Sequence, residues 1–370
     1  MVARAPLSGS EPLVHARTSR PRLAARRGLA AVAVLGVAAL ALTACSGDDG
    51  GAADDTGTPD AAAADGAYPV TIESSLGDAT IEQRPERVVA LGWGAADIAF
   101  SLGTTPVGIE SDDWAGDADG YQPWFREAVE DAGEELPETI TIYPELDVEA
   151  VVALEPDLIL ATQSGIDQAT FDQLSDFAPV VAYPGDAWAT SVEDQITIAA
   201  RALGVPERGD ELVDGIQAAY DEVAQAHPEW ADVTYAYVYG GDQAGSLGVY
   251  MPGDTRVALL SSLGLQLAPS AASLEPDPGS FYATLGLENA DRLDDVDVLF
   301  TWFNDEDEQA ATEAQPLWQQ MPAFASGAYL PMIDRQLGMA VTVADPLSVP
   351  YALDAYVPQI EEVVAKVTGS

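Results

Sequence analysis

From Arg87 onward, short runs of β-branched and aliphatic residues alternate with segments whose apolar positions recur every three or four residues. "RVVALG" reads as a strand, "AADIAFSLG" as a helix stopped at Gly103, and "PVGI" as a second strand. In "DVEAVVALEP" the apolar spacing is helical, with Asp147 placed as N-cap and Pro156 ending the helix. "DLILAT" is a wholly buried strand, "FDQLSDFAP" a further helix and "VVAY" a further strand. Such alternation predicts an α/β unit with a mainly parallel sheet. From Ser191 the rhythm changes: apolar residues at Ile196, Ala199, Ala200 and Leu203, then at Leu212, Ile216, Ala219 and Val223, predict a long helical stretch that Pro206 must kink or break. Alternation then resumes with "VTYAYVYG" as strand, "DTRVALLSSLG" as helix, "DVDVLFTWF" as strand, "EAQPLWQQMPAF" as helix and "YLPM" as a last strand before an amphipathic closing helix, "SVPYALDAYVPQIEEVVAKV". The expected architecture is two Rossmann-like α/β lobes, 68–190 and 231–370, joined by a long helix within 191–230, where sequence alone also allows a separate helical hairpin.

The first 44 residues follow a different pattern. Arg4, Arg17, Arg20, Arg22, Arg26 and Arg27 stand against a single Glu11, and the uncharged run "GLAAVAVLGVAALALTA" leads to Cys45, the chain's only cysteine. A basic start, an apolar middle and small residues at the end have the shape of a secretory signal, and the run is short for a membrane span. "LTAC" resembles the lipobox of bacterial lipoproteins, which implies cleavage before Cys45 and a diacylglycerol on its thiol. Arg26 and Arg27 leave both the general and the twin-arginine export routes open. Residues 45–67, rich in Gly, Ala and Asp, hold too little apolar surface to fold and read as a flexible acidic tether. The expected product is exported and lipid-anchored to the outer face of the cytoplasmic membrane.

Charge and composition narrow the chemistry. With 61 acidic and 15 basic residues the formal net charge is -46, which argues against binding nucleic acid or an anionic surface and favours neutral or cationic ligands. One cysteine and two histidines cannot build an intramolecular disulfide or a Cys/His zinc site. No G-x-S-x-G elbow, H-E-x-x-H pair or phosphate-binding glycine loop is present, and His15 leaves with the signal, so a hydrolytic triad would depend on His227 beside Pro228 at a helix end. An enzyme is not expected, nor is a receptor for bare zinc or manganese.

The segments "RPERVVALG", "SLGTTPVGI", "LDVEAVVALEPDLILAT", "LLSSLGL", "LENADRLDDVDVLF" and "PLWQQMPAFASGAYLPM", in that order, resemble the periplasmic iron-siderophore binding proteins of ABC importers, the group that includes the ferrichrome- and vitamin B12-binding proteins. The resemblance runs from about Gly77 to the C-terminus. It implies two rigid lobes, a shallow cleft between them, no cofactor, and a ferric siderophore delivered by a monomeric receptor to an ABC permease and its ATPase. It also implies that one carboxylate on each lobe docks on the permease; the matching positions are Glu149 and Glu288. Cobalamin or haem is the alternative ligand within the same fold.

A ferric siderophore arrives with its iron already wrapped in oxygen, so the receptor needs contact area and a few hydrogen-bonding groups rather than metal ligands. In doubly wound sheets the ligand lies beyond the carboxyl ends of the strands. That rule selects Trp93, Trp114, Tyr143, Gln163, Ser164, Tyr250, Trp302 and Phe303, with Arg256 as the one basic candidate. Trp230 and Trp318 read as structural. Tyr143 stands where the hydroxamate-binding relatives carry arginine; it offers a hydrogen bond but no positive charge.

Overall fold

The computed structural model describes residues 66–240, 245–278 and 280–369. The signal, the lipidation position Cys45 and all but the last two residues of the tether lie outside the described residues. Among the described residues, no helix is long and apolar enough to cross a membrane.

The N-terminal lobe opens with an antiparallel hairpin, β1 (Val70–Ile72) and β2 (Ala79–Ile81). It continues through β3 (Val88–Gly92), α1 (Ala95–Ser101), β4 (Gly108–Glu110), α2 (Pro123–Asp131), β5 (Glu138–Ile140), α3 (Val148–Ala153), β6 (Leu158–Gln163), α4 (Gln168–Ser175), β7 (Val180–Ala182) and α5 (Val192–Ala202). The five-stranded sheet has the order β5-β4-β3-β6-β7 and is parallel throughout. All six residues of β6 are buried, as expected of a strand covered on both faces. Asp147 caps α3 by accepting from Ala150 N–H at 3.0 Å.

The stretch expected as one long helix divides at Pro206. α5 packs on the first lobe, and α6 (Pro206–Ala226) starts with proline at its first turn, where a missing N–H is harmless and φ is already helical. α6 is therefore the connecting strut, about 31 Å long from the helical rise. Only Gly209 and Tyr220 along it are buried.

The second lobe comprises β8 (Thr234–Tyr239), β9 (Ser246–Tyr250), α7 (Thr255–Ser262), β10 (Gln266–Leu267), α8 (Pro269–Ala272), β11 (Tyr282–Gly286), β12 (Val298–Trp302), α9 (Glu306–Glu313), α10 (Pro322–Ser326), β13 (Tyr329–Met332), α11 (Arg335–Val343) and α12 (Ser348–Thr368). Its sheet is mixed: β8, β10, β12 and β13 run parallel, while β9 is antiparallel to both β8 and β11. "EAQPLWQQMPAF" is not one helix; its two prolines divide it into a 3₁₀ turn at Trp318–Gln320 and the short α10. Trp230 and Trp318 are fully buried.

One core cluster runs through both lobes. Ala90, Trp124 and Phe125 of the first lobe share it with Phe300, Val349 and Tyr356 of the second, and Trp124 meets Tyr351 of α12 with ring centres 5.1 Å apart. The seam between the lobes is thus largely apolar and close-packed next to the cleft, which resists wide opening.

Candidate functional site

The order of the first sheet reverses between β3 and β6, so the chain leaves these neighbouring strands toward opposite sides of one crevice. Gly92 ends β3 with φ 94°, and a Cβ there would stand 2.3 Å from the Gln163 carbonyl, so only glycine lets the strand ends close up. Trp93 N–H donates to that carbonyl at 3.0 Å, which fixes the indole at the crevice, 4.9 Å from the ring of Trp188.

Two adjoining chambers occupy the crevice. The larger, about 440 Å³, is walled mainly by the first lobe, including Trp93, Glu110, Trp114, Gln122, Trp124 and Tyr143, with Met339 and Val343 of α11 reaching in from the second. The smaller, about 180 Å³, lies between Trp93 and Trp114 on one side and Tyr237, Arg256, Trp302 and Arg335 on the other. Trp93, Trp114 and Met339 border both chambers. Trp114 also spans the cleft: its Nε1–H donates to Asn304 Oδ1 at 2.9 Å, and its ring meets Trp302 edge-on at 5.9 Å.

Of the nine residues selected from the sequence, the structure brings Trp93, Trp114, Tyr143, Arg256 and Trp302 to these walls with distinct roles. Tyr143 is 82% exposed at the mouth. Trp302 is held by donating Nε1–H to the Tyr250 hydroxyl at 2.7 Å. Arg256 is not a surface residue: it is buried, and its Nε and Nη2 donate to Asp254 at 2.8 and 2.7 Å. The Arg256 guanidinium lies 3.9 Å from the Tyr250 ring centre and 5.7 Å from that of Phe281. Burial opposes its charge, but Asp254 outweighs that cost and holds it firmly protonated.

The remaining four stand differently. Tyr250 borders neither chamber; it sits behind Trp302 as its support. Phe303 touches the smaller chamber but is 1% exposed and packs into the second lobe's own core with Trp318 and Met321. Gln163 and Ser164 are buried away from both chambers. Gln163 accepts from Thr190 N–H and donates to the Trp188 carbonyl, while Ser164 donates to the Ala161 carbonyl at 2.9 Å. Glu149 in the first turn of α3 and Glu288 in the 3₁₀ turn Leu287–Leu293 are both exposed.

Sequence reading passed over several residues at or behind the walls. Trp188, which backs Trp93 without lining either chamber, follows β7 and was reachable by the same strand-end rule that selected Trp93. Glu110 closes β4, where burial, together with the negative charge of Asp112, pushes its carboxyl up to about 7 despite a hydrogen bond from Gly92 N–H. Asp97 of α1 accepts from Trp124 Nε1–H at 2.7 Å and is hydrogen-bonded to Asp345, which precedes α12. Asp345 Oδ1 accepts from Leu347 and Ser348 N–H, both at 2.9 Å, whereas Oδ2 meets no donor unless Asp97 carries a proton. Burial and the neighbouring carboxylate both drive Asp97 well above the usual range, so the pair shares one proton across the seam.

Comparison with known proteins agrees with the fold. The ferric enterobactin-binding periplasmic protein of Escherichia coli O6:H1 is 27% identical over 272 residues, covering 69% of this chain and 81% of that one. PiaA of Streptococcus pneumoniae TIGR4, an iron uptake ABC transporter substrate-binding protein solved in complex with ferrichrome, is 28% identical and superposes with a TM-score of 0.74 over 80% of this chain and 99% of that one. A periplasmic solute binding protein of Mycobacterium smegmatis gives 28% identity and a TM-score of 0.68 over 80% and 98% of the respective chains. Residues 88–329 match the periplasmic binding protein family, and the chain belongs to that family.

Proposed function

We propose that the chain is the extracytoplasmic receptor of an ABC importer, capturing a ferric siderophore in the cleft and delivering it to the permease and its ATPase. The observation that carries this reading is the set of indoles from both lobes, Trp93, Trp114 and Trp302, around two joined chambers with few polar groups. Such walls suit a preformed, partly apolar chelate better than a bare ion. The similarity to the ferrichrome-bound PiaA supports a hydroxamate chelate. Membership of a family of substrate-binding transport proteins makes the chain a carrier of ligand rather than an enzyme.

In this reading Cys45 carries the lipid anchor, residues 45–67 tether a monomeric body of two lobes, and Glu149 and Glu288 dock on the permease. Titration of the soluble body with ferric siderophores, haem and cobalamin, followed by tryptophan fluorescence, tests the ligand: quenching by a ferric hydroxamate is expected, and tight binding of cobalamin alone overturns the iron reading. Glu149→Lys or Glu288→Lys should abolish uptake with ligand affinity retained; uptake at the normal rate in either variant removes that residue from the docking role. Cys45→Ala should release the protein from the membrane while the body still binds.

A further inference from the structure

The larger chamber holds two hydrogen-bond acceptors whose requirements the protein leaves unmet. Glu110 lines it at the end of β4, among the apolar walls of Ile109, Trp124 and Val343. Its carboxyl receives Gly92 N–H, and among the described residues no basic side chain forms an ion pair with it. Gln122, at the N-terminus of α2, lines the same chamber. Its amide nitrogen donates to Asp112 Oδ2, which fixes the orientation of the amide, and leaves Oε1 buried without a donor. Glu110, Asp112 and Gln122 all line this one chamber.

The smaller chamber is arranged the opposite way. Its buried cation, Arg256, is already neutralised by Asp254. Arg335 donates Nε–H to the Asn304 carbonyl at 2.8 Å. The cleft therefore offers unpaired acceptors at one end and, at the other, a neutralised Arg256 beside Arg335, of which only Nε–H is hydrogen-bonded and which forms no ion pair among the described residues. A buried acceptor without a donor is costly, and a ligand that supplies the donor recovers that cost. One carboxylate and one amide oxygen are too few for a calcium ion, which takes six to eight oxygens. An ammonium group, with three donors and one positive charge, fits them. Its arrival also favours the ionised form of Glu110, which burial otherwise disfavours.

We propose that the larger chamber receives a protonated primary amine carried by the siderophore, with Glu110 as counter-ion and Gln122 Oε1 as second acceptor. The receptor thereby selects an amine-bearing ferric hydroxamate over its acylated counterpart. This rests on the cleft being the siderophore site.

The test is a fluorescence titration of the soluble body at pH 7.5 with ferrioxamine B, which carries a free amine, and with its N-acetyl derivative, which has the same iron-binding groups and no charge on that arm. The wild-type protein should bind the amine form at least about tenfold more tightly, the scale of one charge-assisted hydrogen bond. In Glu110→Gln the ratio of the two affinities should fall to about one. Equal binding of both chelates by the wild type, or an unchanged ratio in Glu110→Gln, overturns the inference while leaving siderophore capture intact. Failure of every ferric hydroxamate to bind overturns the siderophore reading and this inference with it. The wild-type comparison needs no variant, so a Glu110→Gln protein that does not fold leaves the inference open to refutation.

Discussion

The two sides of the cleft solve the same problem with different material. The first lobe places its wall on an all-parallel sheet and fills it with indoles and carboxylates, of which Glu110 has no counter-ion among the described residues and Asp97 keeps a proton. The second lobe builds its wall from a mixed sheet whose antiparallel strands pack Tyr237, Tyr239, Tyr250 and Tyr282 together in edge-on and tilted contacts, with Arg256 inserted among the rings and cancelled by Asp254. Formal charge alone would describe a uniformly acidic molecule. The difference lies in which charges are compensated: on the second lobe the buried Arg256 is cancelled by Asp254 of the same lobe, while on the first Glu110 and Gln122 line the larger chamber with no ion pair and no amide-oxygen donor among the described residues.

Removing one member of the compensated pair should have the largest effect. Asp254→Ala strands the Arg256 guanidinium in the core and should cost about 3–5 kcal/mol in urea unfolding. Asp254→Ala combined with Arg256→Met should recover most of that loss; a double variant as unstable as the single one contradicts the claim that the pair is self-contained.

The proton shared by Asp97 and Asp345 predicts a pH dependence on the other side. The native state keeps a proton that the unfolded chain releases in the usual carboxylate range, so unfolding releases a proton over that interval. Stability should therefore fall as pH rises from about 4 until the folded pair itself ionises. Asp97→Asn, which can donate to Asp345 Oδ2 permanently, should flatten that slope and stabilise the protein at pH 8 by about 1 kcal/mol or more. Parallel slopes for wild type and variant in thermal melts between pH 4 and 8 would show that no such proton is held.

Smaller effects separate support from contact. Trp302→Phe removes the hydrogen bond to the Tyr250 hydroxyl and should cost about 1 kcal/mol of stability. It should also weaken ligand binding, whereas Ser164→Ala should leave affinity unchanged, because the Ser164 hydroxyl donates to the Ala161 carbonyl of β6, away from both chambers. Asp147→Ala removes the cap of α3 and should cost about 0.5–1 kcal/mol without altering affinity.

Much of the frame was legible because its signals are local. The N-cap at Asp147, the β-branched run of β3 and the break at Pro206 are each set by a few adjacent residues, and the structure follows them. α2 also had a local signal, with proline at its first position followed by Trp124, Phe125 and Val129 on its buried face. α11 was harder to see because Gly338 interrupts a short segment that tertiary packing completes. The antiparallel pairing of β9 with β11 requires contacts between segments that no periodicity connects.

The site was legible by the strand-end rule only as far as that rule reaches. It selected Trp93, Trp114 and Trp302, but it could not distinguish Tyr250, turned behind Trp302, from a residue facing the cleft. The pairing of Asp97 with Asp345 and the missing counter-ion of Glu110 depend on groups far apart in the chain. Such features have no sequence signature until the fold brings them together.

The central claim is that the indole-lined cleft holds the iron chelate. A crystal of the soluble body grown with a ferric hydroxamate, measured at the iron absorption edge, locates the metal without assumption. One anomalous peak between Trp93, Trp114 and Trp302 is the predicted result; a peak elsewhere on the protein, with the cleft empty, contradicts the account.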